Sequence, residues 1–401
     1  VITVVGIGAD GWDGLPAASR AALTDAEVLF GGARQLALVP ESGAERVAWP
    51  SPLLPALPGL LERHADRAVA VLASGDPMHH GIGATLARLV GPERLRVLPA
   101  LSSVALACAR LGWAQERVDV VSLVGRPPGV LNAAVAPGRR LLVLSAGRET
   151  PSIVAALLVG RGFGPSALHV LSDLGAASET VERGTAAAWT APAASALNIV
   201  AVECAAGPSA VPLPRAPGLA DDLYEHDGQL TKSEVRAVTL AKLAPLPGEL
   251  LWDVGAGAGS VAIEWARAHP SCAAVAIESH PGRAERITRN ADTLGVPGVS
   301  VLTGTAPDAL AGLPAPDAVF VGGGLTVPGV LERCWDALAP GGRLVANAVT
   351  LESEARVAQA RHELGGDLVR LHVERAAPVG GFTGWRPAMP VTVWTARKAA
   401  P

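Results

Sequence analysis

Short, almost wholly apolar runs alternate with amphipathic runs along nearly the whole chain, and no other feature restricts the fold as strongly. In the first half, the apolar runs predict strands at 2–5, 68–72, 95–98, 118–123, 140–144, 167–171 and 197–202. Helical patterns lie between several of them, such as 83–90 and 151–160. In the second half, strands are predicted at 249–254, 273–278, 300–303, 318–321 and 343–347, and helices at 233–243, 261–269, 282–294, 329–337 and 352–364. Strands that are apolar throughout must be buried on both faces. The pattern therefore predicts an α/β protein whose parallel sheets are covered on both sides by helices.

One stretch interrupts the alternation. Residues 205–220, AAGPSAVPLPRAPGLA, hold four prolines and one charge and follow neither period. Such a stretch reads as a semi-rigid spacer. It divides the chain into a first domain at 1–207, a Pro-rich linker at 208–219 and a second domain at 220–401. Each half is long enough to bury its own core.

Composition then excludes several classes of function. With 49% hydrophobic and 17% charged residues, the chain is not disordered. Its 33 basic and 37 acidic residues give a net charge of −4, so no cationic field attracts a nucleic acid or an anionic membrane. Aromatics make up only 3% and build no stacking platform for bases. The uncharged stretch 184–202 is mostly Ala and is broken at Pro192, which reads as protein core rather than a membrane span. The opening residues VITVVG run straight into a strand without a basic leader, so no signal peptide is expected. Cys108, Cys204, Cys272 and Cys334 are too scattered for a zinc ribbon or a disulfide framework and predict reduced thiols in a cytoplasmic protein.

In the second half, Trp252-Asp253-Val254-Gly255-Ala256-Gly257-Ala258-Gly259 ends a strand and opens a helix. Glycines there let the backbone turn tightly beside a ligand. The next strand ends in an acid, Glu278, placed to accept from two ribose hydroxyls. A nicotinamide dinucleotide would prefer glycine where Ser260 stands, and Asp253 is unfavourable beside a pyrophosphate. Asp253 instead suits the cationic amine of S-adenosylmethionine (SAM). Gly304-Thr305-Ala306-Pro307-Asp308 after the third strand and Pro340-Gly341-Gly342 before the fifth complete the order. The assembly resembles the Rossmann-like, seven-stranded class I SAM-dependent methyltransferases over most of residues 228–397.

Just upstream lies His226-Asp227-Gly228-Gln229-Leu230-Thr231-Lys232-Ser233-Glu234-Val235-Arg236. Thr231 or Ser233 can cap the following helix, with Glu234 in its first turn. As a string it resembles the opening segment of the CbiT-type corrin methyltransferases. That resemblance implies a modified tetrapyrrole substrate. It also implies a SAM site built from Thr231, Asp253, Gly255, Ala256, Gly257, Ala258, Gly259, Glu278, Thr305 and Ala306. Gln229 and Lys232 in the string, and Asn347, Thr350 and Glu352 beyond the fifth strand, are candidate substrate contacts.

In the first half, Gly6-Ile7-Gly8-Ala9-Asp10-Gly11 matches G-x-G-x-x-G after a strand. Gly11, Gly14 and Pro16 break the helix that should follow at once to receive a pyrophosphate, so the match is discounted. The same glycines, with Ser74-Gly75-Asp76-Pro77-Met78 and Pro99-Ala100-Leu101-Ser102-Ser103, resemble the class III methyltransferases of tetrapyrrole synthesis. Those fold as two α/β lobes and cradle SAM between them. The order of segments is that of the CbiE type. The resemblance implies cofactor contacts at Gly6, Gly8, Ser74, Gly75, Asp76, Met78, Ser102 and Ser103. Ser122-Leu123-Val124-Gly125-Arg126 resembles that family's S-L-H-G-R segment, with Val124 where histidine is usual, which removes an acid–base group. The neighbouring His79 and His80 are expected to point apart and to hold no metal.

A CbiE-like half followed by a CbiT-like half resembles the fused corrin methyltransferases of cobalamin biosynthesis. The resemblance implies methylation of C5 and C15 of precorrin-6Y (6B) and loss of CO2 from its C12 acetate, giving precorrin-8x. C5 falls to the first half, and C15 with the decarboxylation falls to the second, with one SAM per domain. The substrate carries several carboxylates, so Arg126, Arg148, Arg236 and Arg386 join the candidate contacts. A tetrapyrrole is the expected partner, in a homo-oligomer without nucleic acid or membrane. A non-catalytic SAM or tetrapyrrole sensor and a nicotinamide-dependent reductase are the alternatives.

Overall fold

The structure is a computed structural model and describes residues 1–400. The chain forms two compact units, one of residues 1–128 and 134–211, the other of 129–133 and everything from 212 onwards.

The first unit contains two sheets. Strands β1 (Ile2–Ile7), β2 (Val28–Gly31), β3 (Glu45–Ala48), β4 (Val69–Ser74) and β5 (Leu95–Leu98) form the first, in the order β3-β2-β4-β1-β5. Every pairing in it is parallel. Leu57, Leu60 and Leu86 cover one face; Leu15, Leu23 and Leu36 cover the other. That two-sided cover is why β1 and β4 read as unbroken apolar runs.

The second sheet joins β6 (Val118–Ser122), β7 (Arg140–Leu144), β8 (Ala167–Ser172), β9 (Thr180–Thr185) and β10 (Asn198–Glu203) in the order β6-β7-β10-β8-β9. Here the expectation of a parallel sheet fails. Only β6 and β7 are parallel; β10 runs antiparallel to β7 and β8, and β9 antiparallel to β8. The central strands are buried on both faces, and burial sets the apolar run whatever the strand direction. The three strands of this unit that the pattern missed, β2, β3 and β9, are short or polar. β9 (TVERGT) is an edge strand with no buried residue.

The second unit is built on a sheet of seven strands. These are β11 (Leu250–Val254), β12 (Ala273–Glu278), β13 (Ser300–Thr303), β14 (Ala318–Val321), β15 (Arg343–Ala348), β16 (Asp367–Leu371) and, after the separate hairpin β17 (Glu374–Val379) and β18 (Phe382–Pro387), β19 (Val391–Arg397). The order is β13-β12-β11-β14-β15-β19-β16, with β19 antiparallel to both neighbours. The winding reverses between β11 and β14, and open α/β sheets bind ligands outside the carboxyl ends of strands at such a point. The first unit thus has the two-lobed class III fold and the second the Rossmann-like class I fold.

The helix Ser260–Ala268 that follows β11 is buried from Ser260 through Arg267. Its two charges face the Pro-rich stretch. Arg267 donates to the carbonyls of Leu213 and Pro214, at 2.9 and 3.1 Å. Glu264 accepts from the amides of Gly218 and Leu219, at 2.6 and 3.0 Å, and from the Tyr224 hydroxyl at 2.9 Å. With Leu213 and Leu219 in the core, residues 212–219 pack against the second unit.

Candidate functional site

In the first unit β1, β4 and β5 end side by side, and their loops meet. A Cβ on Gly6 would sit 2.0 Å from the Gly75 carbonyl and 2.6 Å from the Ala100 amide, so only glycine permits the approach. Gly75 turns with φ +57°, its amide donating to Ile7 and its carbonyl accepting from Ala100. Gly8 faces the Asp10 carboxylate, which a Cβ would strike. A 3-10 turn over Gly11–Gly14 follows, and regular helix starts only at Ala17. Gly6 thus permits the close approach of two loops, and no helix follows at once to receive a pyrophosphate.

Asp76 Oδ1 accepts from the Met78 amide at 2.8 Å, which shapes the turn after β4. Ser102 caps the helix Ser103–Leu111 by accepting from Ala105 at 3.1 Å. Met78 and Ser103 are exposed on the same rim. The eight cofactor candidates of this half thus gather at one sheet edge.

His79 and His80 do not point apart. They lie in the irregular loop after β4, where the alternation of a strand does not apply, and their ring centroids are 5.1 Å apart. Burial, His79 and Arg126 together lower the His80 pKa, which brings Arg126 to this loop. Val124, two residues before Arg126, is 60% exposed. Arg148 follows β7 and donates to the Ala193 carbonyl at 3.0 Å. Sequence reasoning passed over Arg34 and Gln35, on the five-residue helix Ala33–Ala37; both donate to Ser74 Oγ, at 2.9 and 2.7 Å.

In the second unit Gly255, Gly257 and Gly259 all have positive φ, +71°, +60° and +76°. A Cβ on Gly255 would meet Gly323 at 2.7 Å, and one on Gly257 the Gln229 carbonyl at 2.8 Å. The loop is thus clamped between the turn after β14 and the string before the first helix. Its amides are largely used internally: Gly255 and Ala256 donate to Ile277, Gly259 to Ala256, and Gly257 to Glu278 Oε2 at 2.8 Å. A pyrophosphate would find few free donors and two carboxylates, which argues against a dinucleotide.

Asp253 lies beneath this loop. Its Oδ2 accepts from Ala262 at 2.9 Å, while its Oδ1 is buried with no partner among the described residues. Burial, with Glu278 adding like charge, pushes its pKa up to about 7. Glu278, also buried, accepts from Gly257 and His280. The Gly304 amide donates to the Glu278 carbonyl, which carries Thr305 and Ala306 to the same edge. Ala258 is buried, its carbonyl taken by Asn290.

A cleft of about 270 Å³ opens over the loop. Gln229, Thr231, Lys232, Ala256 and Asn347 line it, and so does Arg375, which sequence reasoning missed. Arg375 stands opposite Arg386 in the β17–β18 hairpin and pairs with Glu234. Arg386 itself is exposed and lies outside the cleft lining.

Three expectations change here. Neither Thr231 nor Ser233 caps the helix Ser233–Leu243: the cap position is Lys232, without a side-chain cap bond. Arg236 does not reach the cleft. It is 0% exposed, bonded to Glu264 at 2.6 Å, to Asp221 at 3.3 Å and to the Thr231 and Leu219 carbonyls. Thr350 and Ser353 form a capping box on the helix Leu351–Leu364, and Glu352 sits in its first turn; this accounts for Thr350 and Glu352 without a ligand.

Comparison with known proteins agrees with this division. Residues 1–189 match the tetrapyrrole (corrin/porphyrin) methylase family and residues 222–398 a precorrin methyltransferase domain family. A precorrin-6Y C(5,15)-methyltransferase [decarboxylating] from Sinorhizobium is 48% identical, over 98% of this chain and 95% of its own length. Two Salmonella typhimurium proteins each match less than half of the chain. A cobalt-precorrin-7 C(5)-methyltransferase is 32% identical over 45% of the chain and 89% of itself. A cobalt-precorrin-6B C(15)-methyltransferase (decarboxylating) is 34% identical over 42% of the chain and 89% of itself.

Proposed function

The chain belongs to the decarboxylating precorrin-6Y C5,15-methyltransferase family, and from that premise we propose that its two units divide the chemistry, each with its own SAM. The protein is a SAM-dependent methyltransferase of cobalamin biosynthesis that methylates a precorrin and decarboxylates it; a non-catalytic sensor is not favoured. On our reading the first unit methylates C5, and the second methylates C15 and removes the C12 acetate carboxyl. The observation that carries this reading is that each unit builds its own glycine cradle at the carboxyl edge of a parallel sheet. Gly6, Gly75 and Ala100 form one, and Gly255, Gly257 and Gly323 the other. The two Salmonella relatives, each named for one of these reactions, support the division.

The residues present fit SAM. Asp253 Oδ1 is a buried acceptor without a partner among the described residues, suited to a cationic amine, and Glu278 has lone pairs left for ribose hydroxyls. SAM supplies an electrophilic methyl group on a sulfonium that leaves as a neutral thioether. The chain's part is to align a nucleophilic meso carbon with that methyl and to exclude water. In the second unit Val235, Leu371, Val373 and Val391 form an apolar wall, while Lys232, Arg375 and Gln229 offer donors to substrate carboxylates. Decarboxylation breaks the bond between the acetate methylene and its carboxylate. The electron pair passes into the conjugated macrocycle, CO2 leaves, and a proton added at the methylene carbon makes a methyl group. A carboxylate held against the apolar wall loses hydration, which favours its departure.

We read the protein as a cytoplasmic enzyme acting on a small molecule, without nucleic acid or membrane partner; its net charge of −4 supports this. Among the described residues no helix is long and apolar enough to cross a membrane. Exposed Phe382 and Trp385 on the β17–β18 hairpin support a homo-oligomer. The test is calorimetric titration of S-adenosylhomocysteine into the full chain, with NADH as control. Two sites per chain with NADH silent is the expected result, and a single site would mean that one unit has another task.

A further inference from the structure

The hydroxyl of Ser74 has an unusual arrangement of partners. Arg34 Nη2 and Gln35 Nε2 both donate to its oxygen, at 2.9 and 2.7 Å. A serine hydroxyl has two lone pairs and one proton. With both lone pairs engaged, what remains is the O–H, and among the described residues it has no acceptor. One of the two donors is a guanidinium, so the oxygen is polarised and its proton is a stronger donor.

The surroundings place this donor at the carboxyl edge of the first sheet. Ser74 ends β4 beside Ile7 of β1, next to the Gly75 turn, and is exposed. Arg34 is also exposed, yet burial by surrounding protein lowers its pKa while nearby Asp173 opposes the shift. Asp173 follows β8, at the carboxyl edge of the second sheet, with φ +51°. Ser195 Oγ and Ser178 Oγ hold its carboxylate at 2.7 and 3.3 Å. The Arg34 guanidinium, bonded to Ser74 at the edge of the first sheet, is thus near enough to the Asp173 carboxylate at the edge of the second to feel its charge.

We propose that Arg34 and Gln35 convert Ser74 into a dedicated donor, and that the Ser74 hydroxyl and the Arg34 guanidinium together form a carboxylate-binding subsite in the first unit. Two carboxylates share the required chemistry: that of the cofactor's methionine moiety and that of an acetate or propionate arm of the substrate. The inference rests on the proposed SAM site in this unit. It adds two positioning residues, on a five-residue helix outside every motif, to the loop that carries Ser74.

The test uses the full chain with Ser74→Ala, Arg34→Met, Arg34→Lys and Gln35→Met, with the second-unit site as internal control. The probes are S-adenosylhomocysteine, which has the carboxylate, and 5′-methylthioadenosine, which lacks it. The expected result is roughly tenfold weaker S-adenosylhomocysteine binding at the first site in Ser74→Ala and Arg34→Met, partly restored in Arg34→Lys, with 5′-methylthioadenosine unaffected. If S-adenosylhomocysteine binding holds but KM for the tetrapyrrole in C5 methylation rises by a similar factor, with kcat and the C15 reaction unchanged, the subsite stands and its ligand is the substrate. No change in either quantity, or equal weakening of both probes, overturns the proposal. Wild-type protein that binds S-adenosylhomocysteine only in the second unit would remove the cofactor assignment itself, and the inference with it.

Discussion

The two units hold their ligand-facing loops by opposite means. In the first, backbone packs on backbone at Gly6, Gly75 and Ala100, and several polar groups around the loops are exposed and cationic or neutral: Arg34, Ser74, Arg126 and His80, with Gln35 half-buried. In the second, the loop rests on two buried carboxylates, Asp253 and Glu278, and the segment leading to it hangs on a buried Arg236–Glu264 pair. Exposed charges are screened and cost little to hold, whereas buried ones need every partner in place. The fold of the second unit should therefore respond more strongly to changes of charge and pH than that of the first.

The largest test of that contrast is Arg236→Met. It leaves buried Glu264 without its counter-charge, and breaking such a pair costs about 3–5 kcal/mol. Calorimetry should show the unfolding transition of the second unit moved sharply down and that of the first unmoved; a common shift would break the comparison. Next come the paired variants Gly257→Ala and Gly75→Ala, whose new methyl groups meet the Gln229 carbonyl at 2.8 Å and the Leu101 carbonyl at 3.0 Å. Left-handed strain of roughly 1–2 kcal/mol, with overpacking of about 1–3 kcal/mol, should weaken cofactor binding by thirtyfold or more. Gly257→Ala should abolish C15 methylation and CO2 release and spare C5 methylation; Gly75→Ala should do the reverse.

A subtler contrast is in pH. The Asp253 carboxyl moves from 3.8 when unfolded to about 7 when folded, so between those values the folded second unit keeps a proton that the unfolded chain has released. Its stability therefore falls as pH rises through that window. If the ionised form receives the cofactor's amine, S-adenosylhomocysteine affinity of the second site should drop as pH falls below about 7, by at most tenfold per pH unit, while the first site changes less. Asp253→Asn should abolish both slopes in titrations from pH 5 to 8. The smallest effects are expected at the helix caps. Ser102→Ala and Thr350→Ala should each cost about 1 kcal/mol in denaturant unfolding. On the proposed cofactor role, Ser102→Ala alone should also weaken S-adenosylhomocysteine binding.

Much of this was legible in advance where local pattern suffices. Most central strands fell within a residue or two of their predicted ends, and β5, β7, β12, β13 and β14 matched at both, whereas the inner strands β2 and β19 were missed. The edge elements β3, β9, β16 and the hairpin β17–β18 did not announce themselves, because half-exposed strands carry polar residues. Among charged residues the pattern failed in both directions. Arg236 looked like a ligand contact because it follows a binding string, but the helix turns it inward. Arg34 and Arg375 looked unremarkable because one sits on five residues of helix and the other on an exposed hairpin.

The sequence by itself determined where strands end in glycine turns, since left-handed backbone and close approach exclude other residues, and these constraints act within a few residues of chain. It also determined the two-part division, through the Pro-rich break and two unlike sets of motifs. Tertiary structure alone decided the direction of β10, the inward commitment of Arg236 and the linker's place in the second unit's core. It also decided the use of both lone pairs on Ser74. Each of these depends on partners tens of residues away, and a contact between distant residues leaves no periodic trace at either end.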